Sequence, residues 1–199
     1  GHTLIYGGSK TGLMGELAES VLMEGGRVTG VEPQFFVEAE VQYDEITELI
    51  VTKDMTERKT KMIELGDAFI AFPGGTGTLE EITEVMSKLS LNQLSAPCIF
   101  YNLNGYYDSI KEFLSHMVAM GLSTNERQKD IYFASDLTEV DNVVNKAFGN
   151  MRSEMDALAE SAIKNLGMSR LMAYQTGSTF MSMGKSMLTS SEDAKNMAL

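Results

Sequence analysis

The stretch with the clearest chemical potential is residues 73–81, PGGTGTLEE. It follows an apolar run, residues 68–72, and precedes an amphipathic run, residues 82–89, which is the order strand, glycine turn, helix. Three glycines in four residues let the backbone turn tightly and approach a ligand closely. Because the unpaired N–H groups at a helix start favour an anion, this stretch predicts a phosphate site with two carboxylates beside it.

The carboxylate of Glu81 has two interpretations on pattern alone. Thr78 followed three residues later by Glu81 fits a capping box, in which Glu81 accepts the backbone N–H of Thr78. Acidic residues in a first turn also suit the helix dipole. A carboxylate beside a glycine-lined anion site is also well placed for acid–base work on a bound substrate. The residues alone leave both interpretations open.

A second glycine-rich turn, residues 7–12 (GGSKTG), lies between an apolar run and a helical pattern. It is a candidate phosphate cradle, with Gly7, Gly8, Ser9 and Gly12 as its binding residues. The turn lacks the Gly-Lys-Ser/Thr ending of a P-loop, so Lys10 is the weaker candidate as a phosphate ligand. Many strand-to-helix turns need glycine for their backbone shape alone, which is the structural alternative.

Two basic residues, Arg58 and Lys59, fall on a helical pattern that begins after Asp54, a candidate N-cap. This helix follows the carboxyl end of a strand, so we expect Arg58, in its second turn, to reach the rim of a cleft. The planar guanidinium suits phosphate or carboxylate. Glu40, in the preceding loop, could accept hydrogen bonds from ribose hydroxyls. The alternative for all three residues is a solvated surface charge.

The elements that must position these residues alternate between strand and helix. Short apolar runs predict strands at residues 3–6, 28–31, 49–51, 68–72, 97–101 and 131–133. Helical patterns cover residues 13–24, 54–65, 82–89, 107–120 and 137–148, and residues 34–46 are expected to form a loop. The alternation predicts an α/β fold: a Rossmann-like, doubly wound parallel sheet with helices on both faces, in which ligands bind at the carboxyl ends of the strands. This catalytic domain would span residues 1–149, and the pattern of residues 150–199 defines only a partly helical tail.

Composition excludes several classes of function. The chain has 199 residues, a net charge of −12 and no apolar run long enough to span a bilayer, so neither nucleic acid nor membrane is an expected partner. His2 and His116 lack metal-ligand spacing, so no metal is expected. The single Cys98, in an apolar run, excludes an internal disulfide framework and indicates a reducing, cytoplasmic setting.

Three blocks together go beyond these general patterns: residues 6–15 (YGGSKTGLMG), residues 55–59 (MTERK) and residues 73–81. In this order and spacing they resemble the LOG ("Lonely Guy") family, the cytokinin riboside 5′-monophosphate phosphoribohydrolases, whose signature is PGGxGTxxE with an upstream Arg-Lys. The resemblance covers roughly residues 1–147 and includes residues 104–107 (NGYY) and the loop around Glu40.

The resemblance implies hydrolysis of the N-glycosidic bond of adenosine 5′-monophosphate, or of an N6-modified form, to free base and ribose 5-phosphate. It assigns Glu81 and Arg58 as the catalytic pair and implies a homodimer with no cofactor. The implied nucleotide-binding residues are Glu40, Lys59, Gly74, Gly75, Thr76, Gly77, Thr78 and Glu80. The alternative is a carrier of the same fold that binds a nucleotide or molybdenum cofactor without turnover and has no need of the Glu81 carboxylate.

One departure from the family concerns its first strand and Gly-Ser-Ser turn, which would precede Gly1 and which this sequence does not show. A true loss of this unit would leave unpaired inner sheet edges, which is costly, and would give an inactive copy. Residues 171–179 (LMAYQTGST) resemble a strand and small-residue turn. We therefore expect either a fragment or a permuted arrangement, in which residues 171–174 would pair with residues 3–6.

Overall fold

The computed structural model of the protein describes residues 2–39 and 43–149. The chain divides into two compact units, Gly1–Gly66 and Asp67–Leu199. Each unit carries a three-stranded sheet in which every strand pairing is parallel. The predicted α/β class with parallel strands and flanking helices is therefore confirmed, with the six strands in two sheets of three.

The first unit has three strands in the order β1-β2-β3, and each of its two long connections carries a helix. The strands are β1 (Thr3–Tyr6), β2 (Arg27–Pro33) and β3 (Glu48–Thr52), and the helices are α1 (Gly12–Met23), α2 (Gln34–Glu38) and α3 (Met55–Leu65). Tyr6 pairs with Gly30, and Pro33 pairs with Thr52. The turns that follow β1 and β3 therefore leave the sheet at its carboxyl edge, where ligands bind in folds of this class.

The core of the first unit lies between the sheet and α1. Tyr6, Ala18 and Val28 are buried there, and Leu22 and Ile46 pack against them. Leu4 pairs with Val28 and Tyr6 with Gly30, so these side chains share one face of the sheet. A Cβ at Gly30 would lie 2.7 Å from Ile46 Cδ1, so glycine lets the loop before β3 close onto the sheet.

The second unit has the strand order β4-β5-β6. Its strands are β4 (Phe69–Ala71), β5 (Cys98–Tyr101) and β6 (Ile131–Ala134); its helices are α4 (Thr76–Ser90), α5 (Asp108–Ala119) and α6, residues 137–149. Short 3-10 turns cover Leu103–Gly105 and Glu126–Gln128. Phe100 is fully buried on β5 and stacks on Phe133 with a centroid distance of 4.9 Å. Ile99, Ala134 and Val140 form the core beneath α6.

Most elements lie within one or two residues of their predicted ranges, and two regions differ more. The predicted loop at residues 34–46 contains α2, which begins directly after Pro33, because proline can end a strand and precede a helix. Helix α4 begins at Thr76, inside the predicted glycine turn and before the candidate N-cap Thr78, since glycines at 75 and 77 obscured the helical pattern.

The tail, residues 150–199, and the proposed pairing of residues 171–174 with β1 lie outside the described residues. The domain boundary at residue 149 therefore stays a prediction. Among the helices at residues 2–39 and 43–149, none combines the length and apolar character needed to cross a membrane.

Candidate functional site

The turn between β4 and α4 presents an uncapped helix start. Gly75 is the N-cap residue, in an extended conformation (φ −88°, ψ −158°), and it has no side chain with which to cap the helix. The first N–H groups of a helix have no partner within it, and Gly75 supplies no side-chain cap, so this end of α4 suits an anionic ligand. The capping-box interpretation of Thr78 is wrong, because Thr78 lies inside the first turn and is not the N-cap residue.

The glycines of this turn differ in the space that surrounds the position of a Cβ atom. A Cβ at Gly74 would collide with the Thr78 hydroxyl, so packing inside the turn requires glycine there. Within residues 2–39 and 43–149, a Cβ at Gly75 or Gly77 would meet no atom within 4 Å, and both residues are exposed. Glycine at these positions therefore lets an anion approach the backbone closely.

The two carboxylates lie in the second turn of α4, not in its first. Glu81 follows Gly77 and Thr78 by four and three residues, so helix geometry puts all three on one face. Side chains on a helix lean towards its N-terminus. Glu81 is half-buried and shares the face of Gly77 and Thr78, whereas Glu80 is exposed and shares a face with Thr76.

The other glycine turn, after β1, is tied together by its own polar groups. The hydroxyls of Ser9 and Thr11 are 3.0 Å apart, and the Thr11 N–H donates to Ser9 Oγ at 3.2 Å. The Gly8 carbonyl accepts the N–H of Tyr43 at 2.9 Å. The Ser9 side chain is buried and engaged within the turn, whereas Gly12 is exposed, with φ +60° and open space around it.

Arg58 is buried, with 7% of its surface exposed, and not at a cleft rim as predicted. Its Nε donates to the Val31 carbonyl at 2.9 Å, and a terminal nitrogen donates to the Gly7 carbonyl at 3.4 Å. The guanidinium thereby joins the carboxyl ends of β1 and β2. Helix α3 carries it there, and the predicted cap of that helix is confirmed: Asp54 accepts the N–H of Glu57 at 2.9 Å.

Glu32, which the sequence analysis missed, is buried at the carboxyl end of β2 with 1% of its surface exposed. Its Oε2 has no hydrogen-bond partner among the described residues. Burial raises the pKa of this carboxyl, and the charge of nearby Arg58 offsets part of that rise. A glutamate within the otherwise apolar strand pattern VTGVEP was the available signal, since unpaired carboxylates are rarely buried.

Arg58 and Glu32 explain why the turn after β1 has two consecutive glycines. A Cβ at Gly7 would overlap the Arg58 guanidinium. A Cβ at Gly8, whose φ is +88°, would lie 2.7 Å from Glu32 Oε2. The two glycines therefore make room for two buried ionisable side chains, a packing role that the sequence interpretation as a phosphate cradle did not include.

The structure divides the predicted site residues between the two units. Gly7, Gly8, Ser9, Gly12, Arg58 and Lys59 belong to the first unit, and Gly74, Gly75, Thr76, Gly77, Thr78, Glu80 and Glu81 to the second. Glu40 lies outside the described residues. Across residues 2–39 and 43–149, no group of three or more His, Cys, Asp or Glu side chains is arranged to hold a metal ion.

Comparison with known proteins finds one matching family and several relatives that share one enzyme name. Residues 14–144 match the family described as "Possible lysine decarboxylase". The cytokinin riboside 5′-monophosphate phosphoribohydrolase of Rhodococcoides fascians is 42% identical over 135 residues, which are 67% of this chain and 68% of that protein.

Two plant proteins are also similar to part of the chain. The probable cytokinin riboside 5′-monophosphate phosphoribohydrolase LOGL9 of Oryza sativa subsp. japonica is 43% identical over 118 residues, 59% of this chain and 52% of its own length. The cytokinin riboside 5′-monophosphate phosphoribohydrolase LOG4 of Arabidopsis thaliana is 40% identical over 126 residues, which are 63% of this chain and 59% of that protein. The chain thus spans between about half and two thirds of the length of these relatives.

Proposed function

We propose, because this chain belongs to the LOG family, that it hydrolyses the N-glycosidic bond of adenosine 5′-monophosphate or an N6-modified form of it. The products are the free base and ribose 5-phosphate. The observation that carries the proposal is the uncapped, glycine-lined start of α4 with the Glu81 carboxylate one turn along the same helix face. An anion site beside a carboxylate is what a phosphorylated glycoside requires.

The chemistry follows from the charge that develops as the base departs. The bond between C1′ and the base nitrogen breaks, water adds its oxygen to C1′, and the departing base takes up a proton. The transition state resembles an oxocarbenium ion, so a carboxylate close to C1′ stabilises it and orients the attacking water. Glu81 has this role in our proposal, and the backbone N–H groups of Gly75 and the residues after it hold the 5′-phosphate.

The remaining assignments keep the roles that the family resemblance implies and, for residues 7–12, the role that the glycine-turn pattern predicts. Arg58 is the second catalytic residue, either anchoring the substrate or polarising the leaving group, and its bonds to Val31 and Gly7 hold it at the strand ends. Further substrate contacts come from two groups of residues. In the first unit these are Gly7, Gly8, Ser9, Gly12, Glu40 and Lys59; in the second they are Gly74, Gly75, Thr76, Gly77, Thr78 and Glu80.

Replacement of Glu81 by glutamine tests this assignment. Glu81→Gln preserves the size of the side chain and removes its charge, so release of adenine should fall at least about a hundredfold while the thermal midpoint changes little. Glu112→Gln, an exposed change on α5, is the matched control and should retain full turnover. If Glu81→Gln released adenine at the unaltered rate, the catalytic assignment would be refuted.

We also propose that the protein is a homodimer in a reducing, cytoplasmic setting, and that it does not bind nucleic acid. The dimer follows from the family resemblance, the setting is supported by the single buried thiol of Cys98, and the charge of −12 argues against nucleic acid. A mass in solution equal to that of one chain would contradict the dimer.

A further inference from the structure

The turn between β4 and α4 is held by two tyrosine hydroxyls from the segment that follows β5. Tyr107 Oη donates to the Phe72 carbonyl at 2.6 Å. Tyr106 Oη donates to the Gly74 carbonyl at 2.7 Å. Two adjacent side chains therefore bind two carbonyls of the glycine turn, 32 and 35 residues away in the chain.

A tight turn before α5 orients the side chains of these two tyrosines. Asn104 and Gly105 both have left-handed backbone conformations, with φ of 53° and 75°, and they turn the chain before α5. The Tyr107 N–H donates to Asn102 Oδ1 at 2.6 Å, which fixes the backbone where the two tyrosines begin. The rings of Tyr106 and Tyr107 pack edge to face, with centroids 4.9 Å apart. Tyr107 is buried, whereas Tyr106 is more than half exposed.

The two hydrogen bonds have different consequences for the turn. The carbonyl of Gly74 and the N–H of Gly75 belong to one planar trans peptide unit and point in opposite directions. A hydroxyl that holds the Gly74 carbonyl therefore also sets the direction of the Gly75 N–H. The Phe72 carbonyl precedes Pro73, which has no N–H. Tyr107 therefore fixes the end of β4 and orients no amide.

We propose that Tyr106 is a positioning residue, which aims the Gly75 N–H at the 5′-phosphate of the substrate by holding the Gly74 carbonyl. The inference rests on the proposed function, because that function supplies the phosphate. Gly75 has no side chain, and a Cβ built there would meet no atom of the described residues within 4 Å. Its backbone is therefore conformationally permissive, and the hydrogen bond from Tyr106 to the Gly74 carbonyl restrains the orientation of this peptide unit. Tyr106 acts through the backbone and is not itself a catalytic residue.

Tyr106→Phe removes only the hydroxyl and tests the proposal. A hydrogen bond from a backbone N–H to a charged phosphate is strong. Misalignment of the Gly75 N–H should therefore weaken the binding of ribose 5-phosphate about tenfold, measured by calorimetry. The KM for adenosine 5′-monophosphate should rise by a similar factor while kcat changes less than about twofold, since the lost contact is made equally in the ground state. Binding of adenosine, which lacks the phosphate, should be unchanged.

Two further tyrosine variants serve as controls. Tyr132→Phe removes a hydroxyl on β6 that makes no hydrogen bond within the described part of the chain, and it should affect neither binding nor stability. Tyr107→Phe leaves the Phe72 carbonyl unpaired and should lower the thermal midpoint with a smaller effect on phosphate affinity.

Binding and turnover together separate this inference from the proposed function. If the unaltered protein binds ribose 5-phosphate tenfold more tightly than Tyr106→Phe but releases no base, the inference stands and the proposed function fails. If the two proteins bind ribose 5-phosphate equally, or the unaltered protein does not bind it, the inference is overturned whatever the turnover.

Discussion

Substitution of Gly7 by alanine probes how Arg58 is held at the ends of β1 and β2. The added Cβ would overlap the Arg58 guanidinium and lie 3.3 Å from Met14 Sδ. Residues 6–9 are buried, so the methyl group cannot move out into solvent. The guanidinium must shift instead, and its hydrogen bonds to Val31 and Gly7 must lengthen or break.

The expected cost follows from those two bonds. A hydrogen bond from a charged donor is worth about 1.5–3 kcal/mol when buried, and the longer one, at 3.4 Å, is worth less than the one at 2.9 Å. Gly7→Ala should therefore lower the free energy of unfolding by about 2–4 kcal/mol. In an Arg58→Leu background the overlapping group is absent, and the same change should cost less than about 1 kcal/mol.

A double-mutant cycle by urea unfolding measures this coupling. The two substitutions should be non-additive by about 2 kcal/mol, because both remove the same interaction. Gly12→Ala is the matched control: it adds a methyl group to the same turn, where no atom lies within 4 Å, and costs about 1 kcal/mol of left-handed strain in either background. If the costs of Gly7→Ala and Arg58→Leu added to within about 0.5 kcal/mol, the explanation for Gly7 would be refuted.

Two further predictions concern buried ionisable groups. Burial raises the folded-state pKa of Glu32 above its ordinary 4.5, so its stabilising contribution is complete below that value and is lost as pH rises through the folded pKa. The thermal midpoint of Glu32→Gln relative to the unaltered protein should therefore rise as the pH increases above 4.5, and a constant difference would contradict this. Burial raises the pKa of Cys98 to about 12, so iodoacetamide at about pH 8 should label the thiol only after unfolding; rapid labelling of the native protein would count against its burial.

Local patterns predicted the parts of this fold that local physics determines. The alternation of short apolar runs with helical patterns predicted parallel strands and flanking helices, which the structure shows. Asp54 was expected to cap α3, and it accepts the N–H of Glu57. Both features depend on residues close together in the chain, where propensity and spacing are informative.

Features that depend on distant partners were not predictable in the same way. No local pattern shows that Arg58 binds carbonyls 27 and 51 residues away, or that Glu32 occupies the space beside Gly8. The start of α4 was predicted too late because the glycines have low helix propensity, which the fold of the second unit overrides. The capping box failed for the same reason, since its position depends on where the helix begins.

The most direct test of the proposed function is to incubate the purified protein with adenosine 5′-monophosphate and with its N6-isopentenyl form, and to separate the products by chromatography. We predict free base and ribose 5-phosphate in equal amounts from at least one of the two nucleotides. A nucleotide that is bound but recovered intact would indicate a carrier, and nucleoside with inorganic phosphate would indicate a phosphatase. Either result would contradict the proposal that this chain is a phosphoribohydrolase.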